Sequence, residues 1–209
     1  MADDQARRPR GPRGNYAKTA ARRQAIIDAA TEVFGESGYR AGSMREIADR
    51  CGLSEAGLLH HFPTKAVLLE NVLSLGGELD AHIRDHPPES GILLLRGMVA
   101  LARRNVAVPG RMEMITTLIA EAQRPDHPAH QYFRDRLRMI ADHFGIAFAR
   151  IAADGLLRDD LTAEQAARIA MSAMLGLERL ATAEWADFDH ADELRRTFGL
   201  LLKSGTLPD

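Results

Sequence analysis

The chain has a single cysteine among its 209 residues, so no internal disulfide can form. No apolar stretch of the kind a secretory signal needs stands near its amino terminus. The longest apolar run, Ile92-Leu93-Leu94-Leu95 and its neighbours, is cut by Arg96, Arg103 and Arg104, far short of the roughly 20 residues that a spanning helix requires. These absences predict a cytoplasmic protein with no membrane partner. Aromatic residues make up only 5% of the chain, against abundant Ala, Leu and Arg, which favours helix over sheet and predicts an all-α fold. Catalytic signatures are missing as well: there is no H-E-x-x-H pair, no G-x-S-x-G, no Walker loop and no dinucleotide glycine fingerprint. The sequence therefore offers no catalytic residues, no metal site and no cofactor. His82 and His86 have an i, i+4 spacing that permits a shared metal, but without a recognisable third ligand they read as exposed polar residues.

The charges that are present are unevenly placed. Residues 7–23, RRPRGPRGNYAKTAARR, carry seven basic and no acidic side chains, although the whole chain has a net charge of −2. A basic arm of this kind fits a polyanionic partner, and equally a solvated tail. Rich in Arg, Pro and Gly, residues 1–17 read as a flexible arm unable to bury apolar surface. The length beyond it suits one small and one larger domain.

Helical periodicity supplies the organisation. Ile26, Ala30, Val33 and Phe34 recur at i, i+4, i+7, i+8 before Gly38, which predicts a helix over 18–37. Ser43 and Glu46 have the spacing of a capping box, and Met44, Ile47, Ala48 and Cys51 form one apolar face behind it. Gly52 ends that second helix. Ser54 caps a third, in which Leu58 and Phe62 point inward, and a fourth opens at Pro63-Thr64-Lys65. Two short helices around a tight glycine turn make a helix-turn-helix unit at residues 43–62 within a domain at 18–75. Cys51, on the inward face beside Ile47, reads as a small buried hydrophobe. The remainder, 76–209, patterns as helices at about 90–107, 111–123, 128–153, 162–185 and 190–203.

In a helix-turn-helix the second helix enters the major groove and its first residues meet base edges. Here these are Ser54, Glu55, Ala56 and Gly57, with His60 one turn on. Glu55 can accept from a cytosine amino group, Ser54 can donate or accept, and the Ala56 methyl can touch a thymine methyl. This helix holds no Arg, Lys, Asn or Gln, so no bidentate guanine or adenine reader. Short side chains let it sit close to the groove, while phosphate contacts and the arm carry affinity. Arg10, Arg13, Tyr16 and Lys18 are placed to follow a minor groove.

The segment AIIDAATEVFGESGYRAGSMREIADRCGLSEAGLLHHFPTKAVLLENVL, residues 25–73, resembles the amino-terminal domain of the TetR-like transcriptional regulators. Gly38-Tyr39, Ile47-Ala48, Gly52-Leu53-Ser54 and His61-Phe62-x-x-Lys65 occur together and in order, over roughly the first third of the chain. The resemblance implies a homodimer on palindromic double-stranded DNA and a carboxy-terminal helical domain that binds a small-molecule effector and dimerises. It places Lys65 at the family's phosphate-binding lysine, and Ser43 and His61 near the DNA backbone. Leu59 departs from the pattern, because the family usually has tyrosine there; a phosphate-contacting hydroxyl is missing, for which His60 is a candidate substitute.

In the larger domain, Ala170, Ala173, Met174, Leu177, Leu180 and Ala181 form a stripe of small and apolar residues. With Leu194, Phe198 and Leu201 it is expected to pack across a two-fold axis, an intramolecular core being the alternative. Met98, Met114, Met139, Met174, Phe144 and Phe148 are candidates to line an adaptable apolar pocket, with Glu121 as a polar anchor. The expected function is a homodimeric, sequence-specific regulator, a repressor released by a ligand. A helical enzyme or small-molecule carrier using residues 90–209 is the rival, and it needs a polar catalytic cluster that the sequence does not display.

Overall fold

The computed structural model describes residues 12–74, 87–183 and 187–208, with side chains of the first helix described from Lys18 onward. Among the described residues there are nine α-helices, one short 3-10 turn (Pro88–Ser90) and a single isolated antiparallel bridge between Leu157 and Leu202. The helices are α1 (Pro12–Ala41), α2 (Met44–Arg50), α3 (Glu55–His61), α4 (Lys65–Ser74), α5 (Ile92–Val106), α6 (Arg111–Glu121), α7 (His130–Ala153), α8 (Ala163–Leu180) and α9 (His190–Gly199). Helix α1 starts at Pro12, so the last residues of the expected flexible arm extend the helix; proline is favoured at a first helical position, where its missing N–H costs nothing.

Two apolar cores organise the chain. The head core gathers Ile26, Ala30, Val33 and Phe34 of α1, Ile47 and Ala48 of α2, Leu58 and Phe62 at α3, and Leu68 and Val72 of α4. It does not stop there. Met114 and Leu118 of α6 and Phe133 of α7 belong to the same cluster, so α6 lies along α1 and joins the head to the rest. The body core is built from α5, α7, α8 and α9 around Phe144, Phe148 and Phe198, with the Phe144 and Phe198 rings edge to face at 5.7 Å.

This packing redraws two expectations. Ala170, Met174, Leu194, Phe198 and Leu201 lie inside the body core, buried by their own chain, and so are not free to meet a second copy. The hydrophobic stripe of α8 is wider than one face. Its outer edge, Ile169, Ser172, Gly176 and Leu180, is exposed, with Ala173, Leu177 and Ala181 partly covered between the two. Among the proposed pocket residues, Phe144 and Phe148 are core filling, and Met139 packs against that core. Met114 faces α1 in the head core and is not a pocket residue, because α6 turns its apolar side toward the head.

Met98 and Met174 do line a cavity, together with Leu101, Ile140, Leu194 and the polar side chains of Asn105, Arg136 and Glu178. Its volume of ≈ 10 Å³ is room for about one water molecule. Desolvation pushes the Glu178 carboxyl up to about 7, against the opposing pull of Arg136. No group of three side chains suited to hold a metal occurs among the described residues, and no helix there is long and apolar enough to cross a membrane. His82 and His86 lie outside the described residues.

Candidate nucleic-acid interface

The turn between α2 and α3 is fixed by backbone geometry. Cys51 ends α2, Gly52 takes φ 65°, and the Gly52 and Leu53 amides donate back to Asp49 and Ala48 carbonyls at 3.1 and 2.9 Å. This is the Schellman closure, and the left-handed residue it requires is glycine. Ser43 Oγ accepts from the Glu46 amide at 3.0 Å, capping α2. Only half of the expected box forms: the Glu46 carboxylate turns to Arg50 Nη2 at 3.0 Å, where Glu36 also binds the guanidinium. Ser54 Oγ accepts from the Gly57 amide at 3.1 Å, and Thr64 Oγ1 does the same for Val67 at the start of α4.

Helix α3 is therefore anchored at both ends and by its buried side, where Leu58 and Phe62 are fully enclosed. Ser54, Glu55, Ala56, Leu59 and His60 stand exposed on its other sides, and Gly57 and His61 are half-buried. The Ser54 and Ser43 hydroxyl oxygens are occupied as acceptors, which leaves each O–H free to donate. His61 keeps its imidazole neutral more readily than usual, since burial and then the neighbouring charges of His60, Arg23 and Arg22 disfavour the cation.

Arg23 clamps α1 to this unit in a way that periodicity does not reveal. Its Nη1 donates to the His61 carbonyl at 2.7 Å, its Nη2 to Asn71 Oδ1 at 3.2 Å, and its guanidinium lies 4.2 Å over the Phe62 ring. One side chain thus ties α1, the end of α3 and α4 together. In the sequence it is one of the basic residues just before the apolar positions that begin at Ile26.

Lys65 is half-buried rather than free. Its ammonium donates to the Arg40 carbonyl at 3.3 Å and rests 4.5 Å over the Tyr39 ring. Burial lowers its pKa, and the Glu121 charge opposes that shift. Glu121, expected as a ligand anchor, works instead at this junction: its Oε2 accepts from the Tyr39 amide at 2.8 Å. Gly38, at φ 77°, gives it access, because any Cβ there would collide with Glu121 Oε1. His127 completes the group. Its side chain is fully buried, Nδ1 accepts from the Ala129 amide at 3.1 Å, and Nε2 lies 3.3 Å from Glu121 Oε2 without the alignment of a hydrogen bond. Because Nδ1 is an acceptor, the ring proton of neutral His127 sits on Nε2, facing the carboxylate. Arg40 and Asp126 pair at 2.8 Å on the outside.

Of the arm residues, Lys18 is exposed on α1. Arg13 and Tyr16 lie on the same helix, with only their backbone described, and Arg10 is outside the described residues.

A solvent-facing short helix, capped by serine and held by a Schellman turn against a helical head, is the architecture of a helix-turn-helix DNA-binding protein. Residues 26–72 match the family described as bacterial regulatory proteins, tetR family. It is 28% identical over 162 residues to the HTH-type transcriptional repressor AcnR of Corynebacterium efficiens, covering 77% of this chain and 82% of that one. Over 69 residues it is 45% identical to the HTH-type transcriptional activator FasR of Mycolicibacterium smegmatis, 32% of each chain. The fold matches that of AibR in complex with isovaleryl coenzyme A and operator DNA, with a TM-score of 0.63 at 23% identity over 86% of this chain and 97% of that one.

Proposed function

We propose that the protein is a homodimeric repressor that reads a palindromic operator through α3 and is released by a small molecule bound in the body. The observation that carries this reading is the exposed side of α3, whose helix is immobilised by caps and core while Ser54, Glu55, Ala56 and His60 stand exposed. In the groove, Glu55 accepts from a cytosine amino group, the Ser54 hydroxyl donates, and the Ala56 methyl meets a thymine methyl. The spare O–H of Ser43, His61, Lys65 and Lys18, with Arg10, Arg13 and Tyr16 further along, serve the phosphates or the minor groove. Repression is favoured over activation by the match to AcnR, which spans most of both chains, whereas that to FasR spans the head alone.

The dimer surface in this proposal is the outer edge of α8, Ile169, Ser172, Gly176 and Leu180, with the partly covered Ala173 beside it and the exposed Leu200 after α9. Small residues at Ser172, Ala173 and Gly176 allow close helix approach, and two heads related by a two-fold axis reach half-sites about 34 to 36 Å apart. The effector enters at the cavity between α5, α7 and α8, which must open to admit more than one water. Helix α7 carries Arg136 and Ile140 of that cavity, and the segment before it carries Asp126 and His127 of the junction, so expansion at one end is felt at the other. An effector shifts the population only if it binds the two conformations with different affinity.

The test is to pass sheared genomic DNA of the host over purified protein and sequence what is retained at two salt concentrations. A recovered palindrome whose half-sites lie one helical turn apart supports the reading. Retention without sequence preference, lost at higher salt, overturns it in favour of nonspecific polyanion binding.

A further inference from the structure

Helix α3 has a feature that its polar chemistry does not use. Leu59 is 39% exposed, the one large aliphatic side chain on that helix outside the core, while its neighbour Leu58 is fully buried. It stands three residues after Ala56, and residues three apart on a helix are surface neighbours, so the two form an apolar strip beside Glu55 and His60. An isolated exposed leucine is ordinary on a protein surface. Here it lies on a seven-residue helix whose other exposed groups offer few base-reading contacts: one carboxylate, one hydroxyl, one imidazole and one methyl. In the major groove the only apolar group a base presents is the C5-methyl of thymine.

We infer that Leu59 is a specificity-determining residue that packs on a thymine C5-methyl in each half-site, so that the position read by this strip of α3 is chosen by apolar contact rather than by hydrogen bonding. The inference rests on the DNA-binding reading above. Leucine, having no donor or acceptor, discriminates by burying its methyls against one base and leaving them over polar edges with the others.

Deoxyuridine, which is thymidine without that methyl, provides the probe. Once an operator has been selected from a random duplex library, each thymine is replaced singly by uracil in both half-sites, and the affinities of wild type, Leu59→Ala and Ala56→Gly are measured. One symmetric pair of replacements should weaken the wild type by roughly fifteenfold, about fourfold for each buried methyl removed. The same pair should leave Leu59→Ala unaffected and should still weaken Ala56→Gly. Leu59 is exposed and outside the core, so its truncation leaves the head folded, which the helical signal of the variant verifies. Leu59→Gln supplies an independent arm, because a glutamine at this place should move the preference there toward adenine. If no uracil replacement weakens binding, or if the sensitivity survives in Leu59→Ala and disappears in Ala56→Gly, the assignment of Leu59 is overturned. Failure of the library to yield any preferred sequence would instead overturn the DNA-binding reading on which it rests.

Discussion

The head and the body of this chain solve opposite problems with the same kind of helix. The head must hold one short helix still while leaving its outer side bare. It does so with redundant local devices: Ser43, Ser54 and Thr64 caps, the Gly52 turn, the Arg23 clamp, and Leu58 and Phe62 fully buried. On the proposed reading the body must stay folded while retaining a place that can open. Its core therefore mixes fully buried phenylalanines with thioethers and with polar groups, Asn105, Arg136 and Glu178, around a cavity. Redundant anchoring in one and a polar seam in the other fit the proposed switch with separate reading and sensing ends.

The largest expected effect comes from making the same truncation in each core. Phe62 and Phe148 are both fully buried, and removing such a ring costs about 3 to 5 kcal/mol. Chemical denaturation of Phe62→Ala should show that loss together with loss of operator binding, since α3 ends on this residue. Phe148→Ala should lose comparable stability yet still bind the operator while folded. If Phe62→Ala bound DNA with wild-type affinity, the contrast between a reading head and a sensing body would fail. Because the head core continues into α6 and α7, wild type should unfold in one transition rather than two.

A smaller effect separates the two by pH. The Glu178 carboxyl is raised from its usual 4.5 to about 7 by desolvation, so folding takes up a proton in that window. The folded state holds the proton more tightly, and the contribution to stability is complete below about pH 4.5 and is lost as pH rises through 7. The difference in stability between wild type and Glu178→Gln should change across this window by up to roughly 3 kcal/mol, the glutamine variant lacking that slope. A parallel pair of stability curves would mean that Glu178 titrates normally and that its surroundings are wet. Effector binding near this residue should likewise depend on pH over the same range.

How legible each region was in the sequence follows from how local its determinants are. The head's helices, Gly52 turn and Ser54 cap depend on residues within one or two turns of each other, and the sequence pattern locates them closely. The Thr162 and Gln165 capping box of α8 forms in full, with both hydrogen bonds present. The box at Ser43 and Glu46 forms by half because Arg50, which also pairs with Glu36 of another helix, takes the Glu46 carboxylate. The stripe on α8 misled for a related reason: composition marks a helix as apolar on a broad arc but not which part of the arc its own chain covers. Glu121 was legible as an unusual carboxylate, yet its partner is the amide of Tyr39, far away in sequence, which only the fold supplies. Met114 failed similarly, since nothing local says that α6 turns toward α1.

The smallest effect decides what Lys65 does at the boundary between the two regions. In the structure its ammonium is spent on the Arg40 carbonyl and the Tyr39 ring, which makes it a strut at the end of α1. An ammonium has three N–H donors and the carbonyl takes one, so a phosphate can share the same group without displacing the strut. Lys65→Ala should thus cost two separable things. Its half-buried contacts contribute about 1 kcal/mol to stability, a loss read by denaturation in the absence of DNA. A lost phosphate contact lowers affinity for every DNA sequence alike and reduces the slope of log affinity against log salt by about one for each subunit. Lys65→Met, which keeps much of the apolar stem, should recover part of the stability and none of the slope. If the slope is unchanged in both variants while stability falls in alanine alone, Lys65 belongs only to the scaffold, and the salt-dependent affinity must come from Lys18 and the arm that precedes it.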